Sequence, residues 1–117
     1  MHYVSRIDPA TAQTPRPYQK HSTGFRRSTY VDHTMGSVHM GVGVCYLDPA
    51  GVIQPHRHSF EESFFILEGN VIAQVGDKAY SVNPGNFGLI GTGERHAFRN
   101  ASDRPVRWEE CRRVEER

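Results

Sequence analysis

Short runs of alternating apolar and polar residues, each closed by a turn rich in glycine or proline, constrain this chain more than any other feature. Val38, Met40, Val42, Val44 and Tyr46 recur at every second position up to the turn Asp48-Pro49-Ala50-Gly51. Val71, Ala73 and Val75 do the same up to Gly76-Asp77-Lys78, a hairpin signal, and Ala79–Val82 runs into Asn83-Pro84-Gly85. A period of two belongs to a strand with one buried face. The residue types agree, because Val and Ile number 16 against 3 Leu. β-Branched side chains are stiff at χ1 and suit a pleated surface, whereas helical cores lean on Leu and Ala. Further runs at Val52–His58, Glu62–Leu67, Phe87–Ile90, His96–Asn100 and Pro105–Arg113 raise the expected total to eight to ten short strands. The predicted class is all-β, a sandwich or barrel.

At 117 residues the chain is one domain in size. Residues 1–24 are polar, contain Pro9, Pro15 and Pro17, and read as an N-terminal arm or edge strand. Residues 25–113 form the expected domain, and the charged residues 114–117 a tail. Fourteen basic residues are spread among thirteen acidic ones for a net charge of +1, which excludes the clustered positive face of a nucleic-acid binder. No apolar run approaches the ~18–20 residues of a membrane span, so no membrane partner is expected. The start, Met1-His2-Tyr3-Val4-Ser5-Arg6, lacks the pattern of a secretory signal. Cys45 and Cys111 lie far apart with no zinc or redox spacing, as expected of reduced thiols in a cytoplasmic protein.

The segment Pro55-His56-Arg57-His58-Ser59-Phe60-Glu61-Glu62 carries the chemistry. On a strand, His56 and His58 face the same way, and if strand character continues, Phe60, Glu62, Phe64 and Ile66 share that face. Glu61 has the opposite parity and should point away. Two imidazoles and a carboxylate on one wall suit a divalent transition metal. Among the other histidines, His96 stands out, because the flexible turn Gly91-Thr92-Gly93 can bring its strand opposite the first.

These residues resemble the paired motifs of the cupin superfamily. The first, Gly-x5-His-x-His-x3-4-Glu-x6-Gly, is matched by His56, His58, Glu62 and Gly69, with Ala50 where the family has its leading glycine. The second, Gly-x5-Pro-x-Gly-x2-His-x3-Asn, is matched by Gly85, Gly93, His96 and Asn100, with Gly91 in place of the proline. Around the first motif the wording is similar to ureidoglycine aminohydrolase-like cupins, which are generally two-barrel chains. The resemblance implies a cupin jelly-roll β-barrel, a double-stranded β-helix, holding one metal by three histidines and one glutamate. Carried over by position, the ligands are His56, His58, Glu62 and His96, and the cofactor is one divalent ion: Fe, Mn, Zn, Ni or Co.

The expected cavity lining is Phe60, Phe64, Ile66 and Phe98 with Gln54. Tyr46, Gln74, His39 and the Arg26-Arg27 pair are further candidates to anchor a small organic ligand. The expected function is a small metal-dependent enzyme, working either as a dioxygenase or by Lewis-acid hydrolase, lyase or isomerase chemistry. The alternative is a non-catalytic barrel in which the metal orients a bound small molecule. A homodimer is expected as well, through the arm or through the outward residues Phe65 and Leu67 of the Glu62–Leu67 run.

Overall fold

The computed structural model describes residues 2–113, so the expected tail at 114–117 lies outside the described residues. Eight strands follow one another: β1 (Ser22–Val31), β2 (Met40–His56), β3 (Glu62–Glu68), β4 (Val71–Val75), β5 (Lys78–Val82), β6 (Phe87–Ile90), β7 (His96–Arg99) and β8 (Val106–Arg113). All the pairings are antiparallel, in the order β5-β4-β7-β2-β8-β3-β6 with β1 alongside β2, and the sheet curls into a nearly closed barrel. The all-β barrel is one of the two architectures the alternating runs predict, and the jelly-roll form is the one the family resemblance implies. The hairpin expected at Gly76-Asp77 joins β4 to β5, with Val75 opposite Lys78.

One expectation about elements is corrected. The turn Asp48-Pro49-Ala50-Gly51 does not separate two strands but bends a single one, β2, which is 17 residues long. Its first half pairs β8 from Met40 to Leu47, and its second half pairs β7 from Val52 to His56. The corner is held by Asn100. Its backbone N–H donates to Gly51 O at 2.9 Å and its carbonyl accepts from Ala50 N at 3.0 Å. Its buried side-chain amide donates to the carbonyls of Leu47, Asp48 and Arg104 at 3.1, 3.2 and 2.7 Å. A bend that exposes backbone carbonyls needs such donors, since buried backbone groups left unpaired are costly.

Alternation puts the core inside. Along β3, Glu62, Phe64 and Ile66 are buried while Ser63, Phe65 and Leu67 are exposed. Leu47, Ile66, Val71, Ile90, Val106 and Trp108 are at most 1% exposed. Trp108 stacks between Phe98 and Phe25, with ring centroids at 5.0 and 6.5 Å. The arm lies on its own barrel: Gln13 pairs with Arg27, Thr14 Oγ1 donates to Phe25 O, and Tyr18 packs edge-on against Phe25. It does not reach Phe65, which stays 43% exposed. Among the described residues, no helix is long and apolar enough to cross a membrane.

Candidate metal centre

His56, the last residue of β2, sits directly opposite His96, the first residue of β7, with ring centroids 4.2 Å apart. Glu62 opens β3. His58 arrives differently from the sequence expectation, because the strand ends at His56 and residues 57–61 form a loop. Strand parity therefore does not aim His58. It is held by three local contacts instead: its ring stacks on Phe60 at 4.0 Å, its Nδ1 meets Phe60 O at 3.2 Å, and its carbonyl accepts from Gly93 N at 2.9 Å. Gly93 has φ of +77°, a left-handed conformation that glycine adopts without penalty, so the glycine turn of the second motif clasps the loop of the first.

All three imidazoles are oriented in the same manner. Nδ1 of His56, His58 and His96 faces a backbone carbonyl, of Gln54 at 2.8 Å, Phe60 at 3.2 Å and Glu94 at 2.8 Å. A carbonyl only accepts, so Nδ1 carries the proton and Nε2 presents its lone pair, the arrangement metal-binding histidines use. The three histidines bring ligand atoms within 4.8 Å of one another. Glu62 Oε1 lies 2.6 Å from His58 Nε2 and 3.5 Å from His96 Nε2. His96 Nε2 is buried with no hydrogen-bond partner, a polar atom that needs an acceptor of its lone pair. Three converging imidazoles and a buried carboxylate fit a divalent transition metal.

Burial shifts these groups, and their neighbours decide the direction. Burial raises the Glu62 carboxyl, but in metal-free protein the protonated His58 and His96 rings beside it outweigh burial and hold the group down at about 2. Burial lowers His56 below its ordinary 6.5. Burial lowers His96 too, but the Glu62 carboxylate facing Nε2 and the Glu94 carbonyl at Nδ1 reverse the sign and leave it raised. Tyr18 is pushed up to about 12, first by burial and then by the charges of Glu62 and Glu110.

A cavity of about 140 Å³ adjoins the centre. Of the expected lining, Phe98 borders it, while Phe64 and Ile66 belong to the apolar core. Phe60 stacks on His58 beneath the Arg112 guanidinium, 5.3 Å from its ring. Four candidate anchors lie elsewhere. Gln54 is exposed and contributes its carbonyl to His56; Gln74 is exposed on β4; Tyr46 faces outward under Arg26; His39 borders a separate surface groove. Of the arginine pair, only Arg27 lines the cavity.

Sequence reasoning missed Tyr18, Trp108, Glu110 and Arg112, all of which border the same space. The β8 residues were within reach of parity, because Val106, Trp108, Glu110 and Arg112 alternate on one face. Tyr18 carries no such signal, since it follows Pro17 in the arm and rests edge-on against the His56 ring at 5.1 Å.

A cupin-domain family model matches residues 43–110, more than half the chain. With the barrel and the three-histidine cluster at its mouth, the chain belongs to the cupin-domain family. Among solved structures it is similar to the polyketide cyclase RemF of Streptomyces resistomycificus, with 20% identity over 97% of this chain and 81% of that one, at a TM-score of 0.83. A predicted oxalate decarboxylase of Thermotoga maritima shares 14% identity over 95% of this chain and all of that one, at 0.79. KdgF of a Halomonas species shares 12% over 97% and 96%, at 0.74. At such identities the likeness is one of fold. No curated protein matches the chain.

Proposed function

We propose that this chain is a metal-dependent cupin enzyme that binds one divalent transition ion through His56, His58, His96 and Glu62 and acts on a small organic molecule in the adjoining cavity. The observation that carries this reading is the common orientation of three imidazoles, each with Nδ1 spent on a carbonyl and Nε2 turned to the shared centre. Such an ion supplies Lewis-acid polarisation of a ligand oxygen. The chain's own part is to position the ligand and to handle protons beside it. Glu110 lines the cavity as the ionised partner of Arg27, and burial together with the Glu62 charge raises its carboxyl, which suits it to accept a proton from a bound ligand at Oε. The Tyr18 hydroxyl, pushed up to about 12, stays protonated and offers a hydrogen-bond donor at the cavity wall. These two groups favour proton-transfer chemistry of the lyase, isomerase or cyclase kind over oxygen insertion. The structures sharing this fold include a polyketide cyclase and a predicted oxalate decarboxylase, so the barrel accommodates more than one reaction.

Elemental analysis of protein purified without added metal tests the first half. One equivalent of a transition metal is expected, and it should be lost in the Glu62→Gln and His96→Ala variants. Protein that takes up none at neutral pH with all four residues intact overturns it. Turnover of small oxo and hydroxy acids that continues without oxygen supports the proton-transfer reading. Oxygen consumption coupled to turnover would assign dioxygenase chemistry instead.

A further inference from the structure

Two charged side chains are buried inside the barrel where apolar ones would suffice. Arg27 and Glu110 pair at 2.6 Å with side-chain exposures of only 5% and 7%. Buried pairs contribute little net stability against apolar replacements of similar volume. The chain nevertheless reserves space for this one: at Gly43, a Cβ would stand 2.7 Å from Arg27 Cζ. Arg27 Nε is buried without an acceptor. Arg112, further along the same inward row of β8, borders the cavity, and among the described residues its guanidinium has no carboxylate partner. Two arginines and two glutamates line the space, so their charges cancel until a divalent ion binds. The loaded cavity then carries two excess positive charges. Its other wall is apolar and aromatic, formed by Phe25, Ile53, Phe98 and Trp108.

We propose that the cavity takes a small monocarboxylic acid with an apolar body, its carboxylate received by the Arg112 guanidinium and its body packed against Phe98 and Trp108. The inference rests on the metal-dependent reading above. Arginine suits this role because its planar fork matches a carboxylate through two parallel hydrogen bonds. The Arg27–Glu110 pair positions the wall beside it and adds no net charge. The volume of about 140 Å³ has room for on the order of ten waters, which sets the ligand at about ten non-hydrogen atoms.

Trp108 is the chain's single tryptophan and borders the cavity, so its fluorescence reports occupancy directly. Phenylacetate and its neutral isostere phenylacetamide should be titrated into metal-loaded protein, with metal content measured on each sample. Phenylacetate is expected to change the Trp108 signal saturably and to bind about tenfold more tightly than the amide, the effect of one charged hydrogen bond. Arg112→Gln should remove that preference without loss of metal, and Arg112→Lys, which keeps the charge and loses the fork, should retain part of it. Equal binding of acid and amide overturns the proposal. So does a preference undiminished in Arg112→Gln, which would assign the carboxylate to the metal. If the protein takes up no metal, the metal-dependent reading fails by itself. The same titrations on that protein still decide the role of Arg112, since only an arginine-dependent preference for the acid supports it.

Discussion

Ala50 occupies the left-handed region at φ of +64°, at the position where the family motif places glycine. A Cβ there crowds the following carbonyl, at roughly 1–2 kcal/mol. The corner of β2 tolerates this because Asn100 holds it by two backbone hydrogen bonds, one of them to Ala50 itself. Ala50→Gly is therefore expected to stabilise the protein by about 1 kcal/mol, less what glycine gives up in unfolded-chain entropy. A denaturant midpoint that rises at constant slope would show it. The histidines titrate in opposite senses. In metal-free protein His96, raised by the Glu62 carboxylate and the Glu94 carbonyl, contributes stability below 6.5 that is lost as pH rises through its own value. His56, lowered by burial, contributes above 6.5 and loses that contribution as pH falls. On acidification His96 should thus take its proton before His56, which residue-resolved NMR titration of the imidazole nitrogens would reveal. Glu62, held at about 2, stays ionised throughout, so acid release of the metal should follow the imidazoles and not the carboxylate.

At the scale of elements, the site is a meeting of strand ends. β2 delivers His56, β7 delivers His96 and β3 delivers Glu62, and a loop clasped by Gly93 adds His58. Because Glu62 opens β3 on the buried face, its neighbour Glu61 is exposed on the loop side. Glu62→Gln should weaken metal binding severalfold or more, whereas Glu61→Gln should leave it nearly unchanged. Competition against a metal-sensing dye compares the two, and equal losses would refute the assignment of Glu62. The parity of β3 was legible in Glu62, Phe64 and Ile66 alternating with Ser63, Phe65 and Leu67. The break between His56 and Glu62 was not, because nothing local distinguishes a loop held by Phe60 and Gly93 from a continuing strand.

For the whole molecule, the arm and the outer sheet face separate two routes to association. The arm is occupied with its own barrel, through Gln13, Thr14 and Tyr18. Phe65 stands opposite Phe87 on the paired strands β3 and β6, with Leu89 two residues on, at 43%, 79% and 67% exposure. Among the described residues, β6 is an edge strand with no strand paired to its outer side. We propose that the homodimer expected from the sequence forms through this face and not by exchange of the arm. Sedimentation should give a dimer that Phe87→Lys dissociates and that survives deletion of residues 1–12. A monomeric parent chain would end the proposal.

The sequence by itself determined the strand periodicity, the turns and the identities of the motif residues, because side-chain alternation and backbone preference are local properties. Val71–Val75, Gly76-Asp77 and the pattern His56, His58, Glu62, His96 could be read without any contact between distant segments. What only the tertiary structure decided is which side chains share a volume. Arg27 on β1, Glu110 and Arg112 on β8 and Tyr18 in the arm border one cavity with His56. Arg27 and Glu110 are separated by 83 positions in the chain, yet their side chains bond inside the barrel. That proximity follows from the pairing of β1 and β8 with opposite sides of the same stretch of β2, where Gly43 leaves room for the two side chains to meet. No local pattern encodes it, since a ligand cavity is defined by residues converging from several strands at once.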